Sequence, residues 1–185
     1  MESKNPKIYI ISGKARAGKD TTASMIKDVY ETKGLKVLNL QYSSYIKEYA
    51  KKISDWDGDE ETKPRELLQI LGTDIIRKNI SNTFFVNKIV EDIKVYSYFF
   101  DIITISDARF KIEVDIPRDN FENVFAIRIN RPNFDNGLTE IQKMHPTEID
   151  LDDYDKYNYV ITNDGTLDDL RVKVSNMLKE EHHES

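Results

Sequence analysis

The sequence predicts an α/β fold, a three-layer sandwich in which a five-stranded parallel sheet lies between two layers of helices. Five short apolar runs have the length of strands, and two of them, IYII at residues 8–11 and IITI at residues 102–105, are nearly continuously apolar. Strands of that kind are typical of a sheet that is covered on both faces. Longer stretches with helical periodicity alternate with these runs, which favours parallel strands joined by crossover helices.

The predicted elements follow one another in simple alternation. Strands are expected at residues 7–12, 36–41, 101–106, 124–130 and 157–162. Helices are expected at residues 18–32, 44–53, 64–79, 84–98 and 166–180. Pro64 suits the first turn of a helix, and Thr166 with Asp169 forms a capping box at the start of the last one. Residues 131–157 lack periodicity, and either a lid over a site or a plain surface connection fits them.

The length of the chain indicates one domain. A chain of 185 residues is long enough to bury one sizeable core but not two. The tail at residues 181–185 is short and polar, and we expect it to be frayed. No apolar run approaches the length of a membrane span, and no secretory signal is recognisable. We therefore expect a cytoplasmic protein without a membrane anchor.

Composition excludes several classes of function. The formal charge of −6 and the pI of about 5.2 argue against a nucleic-acid polymer as the main partner, because duplex binding needs a broad basic face. A locally basic cleft in an acidic protein can still bind a phosphorylated small molecule. The chain has no cysteine, which excludes disulfides and thiolate zinc sites.

The most specific motif is GKARAGKD at residues 13–20, between the first predicted strand and the first predicted helix. Its spacing is that of a phosphate loop, in which glycines let the turn aim backbone N–H groups at phosphate oxygens. The start of the following helix adds a positive dipole end, and Lys19 would reach the β- and γ-phosphates. The expected phosphate-binding residues are Gly13, Lys14, Ala15, Arg16, Ala17, Gly18, Lys19, Asp20 and Thr21.

Asp20 departs from the usual phosphate loop, which has a Ser or Thr hydroxyl that ligates Mg²⁺ at this position. A carboxylate here could hold the ion through water. It could instead cap the helix start while Thr21 or water takes the metal. The sequence leaves these alternatives open.

The third predicted strand ends in SDAR, which adds an acid and an arginine to the predicted site. The carboxyl ends of parallel strands form the crevice in which open α/β sheets bind ligands. Asp107 could therefore orient Mg²⁺ or the attacking phosphate, and Arg109 could neutralise charge during transfer.

The predicted helix at residues 64–79 carries a second group of polar residues. At α-helical spacing its apolar face, expected to be core, consists of Leu67, Leu68, Leu71 and Ile75. The other side carries a stripe of Arg65, Gln69, Gly72, Thr73 and Arg77. Guanidinium groups bind phosphates bidentately, and Gln or Thr can hydrogen-bond a base or sugar. A solvated amphipathic face would show the same pattern.

Other features allow two interpretations each. Arg131 follows the fourth strand and could close over phosphates or be a surface residue. His145 and Glu148 are too few for a metal site, and they are either substrate or lid contacts or plain loop residues. The turn at residues 163–165 could line an adenine pocket or be purely structural. Four aromatic side chains could be core or a homodimer interface: Tyr96, Tyr98, Phe99 and Phe100.

Taken together, these segments resemble the deoxynucleoside monophosphate kinases of phage and bacterial type, within the P-loop nucleotide kinases. The matching pieces are SGKARAGKDTTA, YSSYIKEYA, RELLQILGTDIIR, ISDARF with Glu113, RP, HPTE and YVITNDGTLDDL. They occur in the family's order and cover most of the chain. The Gly-Lys-Asp-Thr form is usual in that family, so Asp20 marks the subgroup.

The resemblance implies a P-loop NTPase fold, ATP as phosphoryl donor, Mg²⁺ as cofactor and a deoxynucleoside monophosphate as acceptor. It implies that Lys19, Asp107 and Arg109 lie at the reacting centre and that Asp20 and Asp107 serve the metal. It also implies an acceptor site that contains Lys47, Arg65, Gln69, Thr73, Arg77 and Arg131. The family commonly has Phe-Pro-Asn-Glu after the arginine, where this chain has Phe-Lys-Ile-Glu at residues 110–113.

Two other functions fit the same motifs. One is a P-loop kinase for another phosphorylated small molecule, such as phosphomevalonate, because the arginine-bearing helix suits any phosphate-bearing acceptor. The other is a regulatory module that binds ATP and has no acceptor. The motifs alone do not reveal the preferred base.

Overall fold

The computed structural model describes residues 2–181, and its centre is one five-stranded sheet. The strands are β1 (Lys7–Gly13), β2 (Val37–Leu40), β3 (Ile102–Ala108), β4 (Val124–Asn130) and β5 (Tyr159–Thr162). All four pairings are parallel, and the strand order is β2-β3-β1-β4-β5. The predicted strands are therefore confirmed. The histidines at positions 182 and 183 and most of the predicted frayed tail lie outside the described residues.

Helices and short helical turns connect the strands. They are α1 (Lys19–Thr32), α2 (Ser43–Ile53), α3 (Arg65–Gln69), α4 (Phe84–Tyr96), α5 (Ile112–Asn120), α6 (Glu140–Lys143), α7 (Pro146–Ile149) and α8 (Leu167–Glu181). A π-helical segment, Ile70–Ile80, continues directly from α3. Within the described part of the chain, no helix is both long and apolar enough to span a bilayer.

The sheet buries a core on each of its faces, as the nearly continuously apolar strands predict. Along β1, Tyr9 and Ile11 point into a cluster with residues of α1 and α8, whereas Ile8 and Ile10 point into a cluster with residues of α4 and α5. All four side chains are fully buried. Side chains alternate between the two faces of a strand, so a strand covered on both sides is apolar at most positions. The three-layer sandwich is confirmed.

One predicted core face is wrong at a single position. Ile75 is 42% exposed, and Ile76 is 5% exposed. The α-helical spacing placed Ile75 with Leu71, but residues 70–80 form a π-helix, whose hydrogen bonds join residues five apart. The wider turn brings Ile76, five positions after Leu71, onto the buried side.

The structure also contains helices that the periodicity does not predict. Helix α5 has Pro117 in its interior, and an interior proline normally signals the end of a helix. The single-turn helices α6 and α7 lie within residues 131–157 and are too short to show a period. Among the four aromatic residues of uncertain role, Tyr96 and Phe100 pack against the core, whereas Tyr98 and Phe99 are 40% and 50% exposed.

Candidate active site

The phosphate loop, residues 13–21, lies at the carboxyl edge of the sheet where β1 ends. In the strand order, β1 has β3 on one side and β4 on the other, so the chain reverses its direction of winding at this point. Open α/β sheets bind ligands in the crevice that forms there. A Cβ on Gly13 would lie 2.6 Å from the carbonyl oxygen of Ile129. Only glycine therefore allows the loop to approach β4 this closely.

The backbone conformation at position 18, at the start of α1, requires a glycine. Its φ of 108° lies in a region that other residues rarely adopt. A Cβ there would also meet the side-chain nitrogen of Asn163 at 2.8 Å. That nitrogen donates a hydrogen bond of 2.9 Å to the carbonyl oxygen of Ala17, so the turn after β5 braces the loop.

Lys19 is buried in the centre of the phosphate loop. Its Nζ donates to the carbonyl oxygens of Gly13 at 3.0 Å and Lys14 at 2.9 Å, and the residue is 8% exposed. Burial, followed by the positive charge of Arg109, lowers the pKa of Lys19 to about 8. An ammonium group with this little solvation is well placed to pair with an anion.

A first cleft, of about 370 Å³, lies between the phosphate loop and the turn after β5. Its lining residues are Arg16, Gly18, Lys19, Asp20, Thr21, Arg131, Asn163, Gly165, Thr166, Leu167 and Leu170. The turn at residues 163–165 therefore lines a cavity in addition to bracing the loop. Arg131 also lies here and donates to the carbonyl oxygen of Arg16 at 3.2 Å. The structure places it beside this cleft and not with the residues predicted to contact the acceptor.

A second cleft, of about 790 Å³, lies on the other side of the loop, between α2, α3 and residues 131–157. It contains most of the residues predicted for the reacting centre and the acceptor, namely Lys19, Lys47, Arg65, Arg77, Asp107 and Arg109. Gln69 and Thr73 do not line it. The π-helical segment begins at Ile70, so the α-helical stripe that groups these two residues with Arg77 is not preserved.

The two predicted metal-binding acids have different surroundings. Asp107 accepts hydrogen bonds from the backbone N–H groups of Tyr42 at 2.9 Å and Ser43 at 3.0 Å, one on each carboxylate oxygen, at the start of α2. Asp20 is exposed, and its nearest polar partner is the Gln41 amide at 3.4 Å. Both acids line the second cleft. Within residues 2–181 no group of three or more His, Asp or Glu residues could hold a metal by itself.

Arg109 is held at the phosphate loop by a carboxylate from residues 131–157. Its guanidinium donates to Glu148 Oε1 at 2.7 Å and lies 3.4 Å from the carbonyl oxygen of Gly13. The other oxygen of Glu148 accepts the backbone N–H of Ala15 at 3.1 Å. Lys14 donates to Asp152 Oδ2 at 2.5 Å and to the backbone carbonyl of Glu148. Residues 131–157 therefore contact the loop directly.

Arg77 and Glu113 form a buried ion pair beneath the second cleft. Arg77 Nη2 donates to Glu113 Oε1 at 2.6 Å, and the two side chains are 10% and 1% exposed. The guanidinium lies between the rings of Phe85 and Phe110, 4.9 and 4.4 Å from their centroids. Burial raises the pKa of Glu113 to about 7, although Arg77 opposes the rise. Glu113 Oε2 also accepts the backbone N–H of Arg109 at 2.6 Å, so the pair supports the chain at Arg109.

Sequence reasoning missed several charged residues of the second cleft. Lys63 lines it and binds Glu60 at 2.9 Å, while Lys47 lies 3.9 Å from the same carboxylate. This cluster is hard to predict from the sequence, because the net negative charge of the stretch before Pro64 suggests a solvated loop. Glu148 was considered with His145 as a metal pair, a substrate or lid contact or a loop residue, but its contacts with Ala15 and Arg109 were not predicted. The signal that could have identified it is the HPTE segment, a proline-started turn with an acid inside an otherwise aperiodic stretch.

Comparison with known proteins identifies relatives by sequence. A family model described as deoxynucleotide monophosphate kinase matches residues 29–174. The deoxynucleotide monophosphate kinase of Enterobacteria phage T4 is 30% identical to this chain over 152 residues. The match covers 82% of this chain and 58% of the phage protein, so this chain spans little more than half of that relative's length.

Solved structures share the fold. The Mycobacterium tuberculosis APS kinase in complex with AMPPNP and APS has a TM-score of 0.55 at 12% identity, and the match covers 94% of this chain and 98% of that one. Dephospho-CoA kinase from Campylobacter jejuni has a TM-score of 0.55 at 15% identity, with coverages of 95% and 97%. These likenesses confirm the P-loop NTPase fold and show nothing about the substrate.

Proposed function

Since this chain belongs to the deoxynucleotide monophosphate kinase family, we propose that it transfers the γ-phosphoryl group of ATP to a deoxynucleoside monophosphate. The products are ADP and a deoxynucleoside diphosphate. The observation that carries this proposal is the position of the phosphate loop between two clefts that share Arg16, Lys19 and Asp20. A phosphotransferase needs two ligand sites that meet at the reacting phosphoryl group, whereas a nucleotide-binding module needs only one.

ATP would occupy the first cleft. Its phosphates would lie on the backbone N–H groups of the loop and on Lys19, at the positive end of α1. The base would extend toward the turn after β5, where Asn163 and Gly165 line the cavity. Arg131 lies beside the same phosphates, so we assign it to the donor nucleotide.

The acceptor would occupy the second cleft with its phosphate toward the loop. Lys47 and Lys63 provide exchangeable cations there, since their present carboxylate contact, Glu60, is 67% exposed. Arg65 also lines this cleft and adds a third cation. Arg77 is paired with Glu113 and would contribute positive charge to the acceptor site from the floor of the second cleft. Gln69 and Thr73 would reach the acceptor only after movement of the helix that carries them.

The reaction requires positioning and charge stabilisation more than proton transfer. A nucleotide phosphate is already ionised at neutral pH, so its oxygen can attack without a strong base. Phosphoryl transfer is catalysed mainly by alignment of the attacking and leaving oxygens and by cations near the equatorial oxygens. Lys19 and Arg109 supply those cations, and residues 131–157 would exclude water from the closed site.

We propose Mg²⁺ as the cofactor, held by Asp20 and Asp107. Mg²⁺ is commonly bound by one or two carboxylates together with substrate phosphates and water, which agrees with the absence of a three-acid group in the described chain. Asp107 accepts only one N–H on each oxygen, so a lone pair remains for a ligand. When bound, the ion would neutralise charge on the donor phosphates.

The proposal is tested by measuring ADP release from ATP with Mg²⁺ in the presence of each of a panel of deoxynucleoside and ribonucleoside monophosphates. Phosphomevalonate, a no-acceptor control and the Lys19→Met variant complete the panel. We expect at least one deoxynucleotide to stimulate release strongly and the variant to show none. Stimulation by phosphomevalonate alone would identify another acceptor class. ATP binding without stimulation by any acceptor would indicate a regulatory module.

A further inference from the structure

The carboxylate of Glu148 occupies a position that is built for an anion. One oxygen accepts the N–H of Ala15 in the phosphate loop at 3.1 Å, and the other accepts the guanidinium of Arg109 at 2.7 Å. The side chain is 9% exposed. A backbone amide and an arginine that converge on one site are the donors that bind a phosphoryl group in P-loop enzymes.

Four further hydrogen bonds fix the turn that carries this carboxylate. The turn that carries it, α7, begins at His145, whose side chain accepts the N–H of Thr147 and whose carbonyl accepts the N–H of Glu148. Lys14 binds the backbone carbonyl of Glu148 and the carboxylate of Asp152. Glu148 is therefore presented to the loop by a braced turn.

The position corresponds to the end of the phosphate chain that faces the acceptor. Ala15, Arg109 and Glu148 line the second cleft, and none of them lines the first. An ATP molecule in the first cleft must extend its terminal phosphoryl group toward the second cleft for transfer. The α- and β-phosphates would stay on the part of the loop that lines only the first cleft, around Gly18 and Thr21.

We propose that Glu148 is an anionic latch that occupies the γ-phosphoryl position in the unliganded protein and is displaced by ATP but not by ADP. This inference rests on the proposed function, because it assigns the two clefts to donor and acceptor. Two negatively charged groups cannot share the same N–H and the same guanidinium without strong repulsion. ADP has no γ-phosphoryl group, so the latch and ADP are compatible.

Displacement of Glu148 by ATP, but not by ADP, would make the contacts of Arg109 and of residues 131–157 depend on which nucleotide is bound. When Glu148 leaves, Arg109 becomes available to the transferring group, and residues 131–157 lose one of their attachments to the loop. The latch lowers the affinity for ATP relative to ADP, because only ATP must break the contacts of Glu148.

The test measures the affinities of ADP and of AMPPNP, a non-hydrolysable ATP analogue, with Mg²⁺ by calorimetry. The proteins are the unmodified chain, Glu148→Gln, Glu148→Ala and the control Glu140→Gln, which removes an equal charge from an exposed site in residues 131–157. We expect both Glu148 variants to bind the ATP analogue about tenfold more tightly, with ADP affinity changed less than twofold. Thermal unfolding of each variant verifies that it is folded.

Unchanged or weaker binding of the ATP analogue by both Glu148 variants would overturn the latch. So would an equal gain in affinity for ADP, because that would mean a general effect on the loop. If the unmodified chain bound both nucleotides but no acceptor stimulated ADP release, the proposed kinase activity would be refuted. The latch would still be tested by the same titrations. The two failures are therefore distinguishable.

Discussion

At the scale of single residues, the site is defined by charges that the fold leaves incompletely solvated. Lys19 is the clearest case, because within residues 2–181 its ammonium group donates hydrogen bonds only to two backbone carbonyls. Burial is the largest cause of its lowered pKa of about 8, and Glu148, Asp20 and Asp107 only partly offset it. A bound triphosphate adds negative charge next to Nζ and favours the protonated form.

ATP binding should therefore take up protons near pH 8. Free Lys19 is roughly half protonated at that pH, whereas the bound form is fully protonated, so roughly half a proton enters on binding. Affinity consequently falls as the pH rises above 8. Calorimetry in two buffers of different ionisation enthalpy measures the uptake, and Lys19→Met serves as the control without it. Equal binding enthalpies in both buffers for the unmodified chain would contradict the assignment.

The ion pair of Arg77 and Glu113 should behave as a single unit in unfolding. Removal of one partner leaves the other charge buried without compensation, which typically costs about 3 kcal/mol. We expect Glu113→Gln and Arg77→Met each to lower the free energy of unfolding by about that amount at pH 8, in urea titrations. The double variant should lose far less than the sum of the two. Additive losses would show that the two residues act independently.

At the scale of elements, the π-helical segment decides which isoleucine stabilises the protein. Ile76→Ala should lower the free energy of unfolding by about 2–4 kcal/mol, because it empties a buried position. Ile75→Ala removes the same atoms from an exposed neighbour and should cost less than about 0.5 kcal/mol. Chemical denaturation of the two variants compares them directly. A larger loss of stability in Ile75→Ala than in Ile76→Ala would contradict the π-helical register and support the α-helical one.

Elements with a regular period could be predicted, and elements defined by tertiary contacts could not. β1 and α1 are evident because an apolar run, a glycine-rich turn and an amphipathic stretch are continuous in sequence, and so the loop residues were identified together. The π-helical turn has no distinct sequence period. Helix α5 contains Pro117, a normal stop signal. The contact of Glu148 with Ala15 joins residues 133 positions apart, which no local pattern encodes.

At the scale of the whole molecule, the two ends of the parallel strands, here called the carboxyl edge and the amino edge of the sheet, have different roles. The carboxyl edge contains both clefts and the phosphate loop. The amino edge contains the start of β1 and the end of α8, which are joined through Glu181. That carboxylate accepts the hydroxyl of Tyr9 at 2.6 Å and pairs with Lys7. The seven residues of β1 separate the two edges by roughly 20 Å at the rise of a parallel strand.

Glu181→Ala should therefore destabilise the protein without affecting its site. Glu181 is 3% exposed, and its loss leaves the Tyr9 hydroxyl and the Lys7 ammonium without this acceptor, at a cost of about 3 kcal/mol. The neighbouring Glu180→Ala, on the exposed side of α8, should change stability by less than about 0.5 kcal/mol. Thermal and urea unfolding measure the loss, and calorimetry with the ATP analogue should give the same affinity for both variants. A weakened affinity in Glu181→Ala at a temperature where it is fully folded would mean that the amino edge is coupled to the phosphate loop through β1. The two edges would then be one cooperative unit.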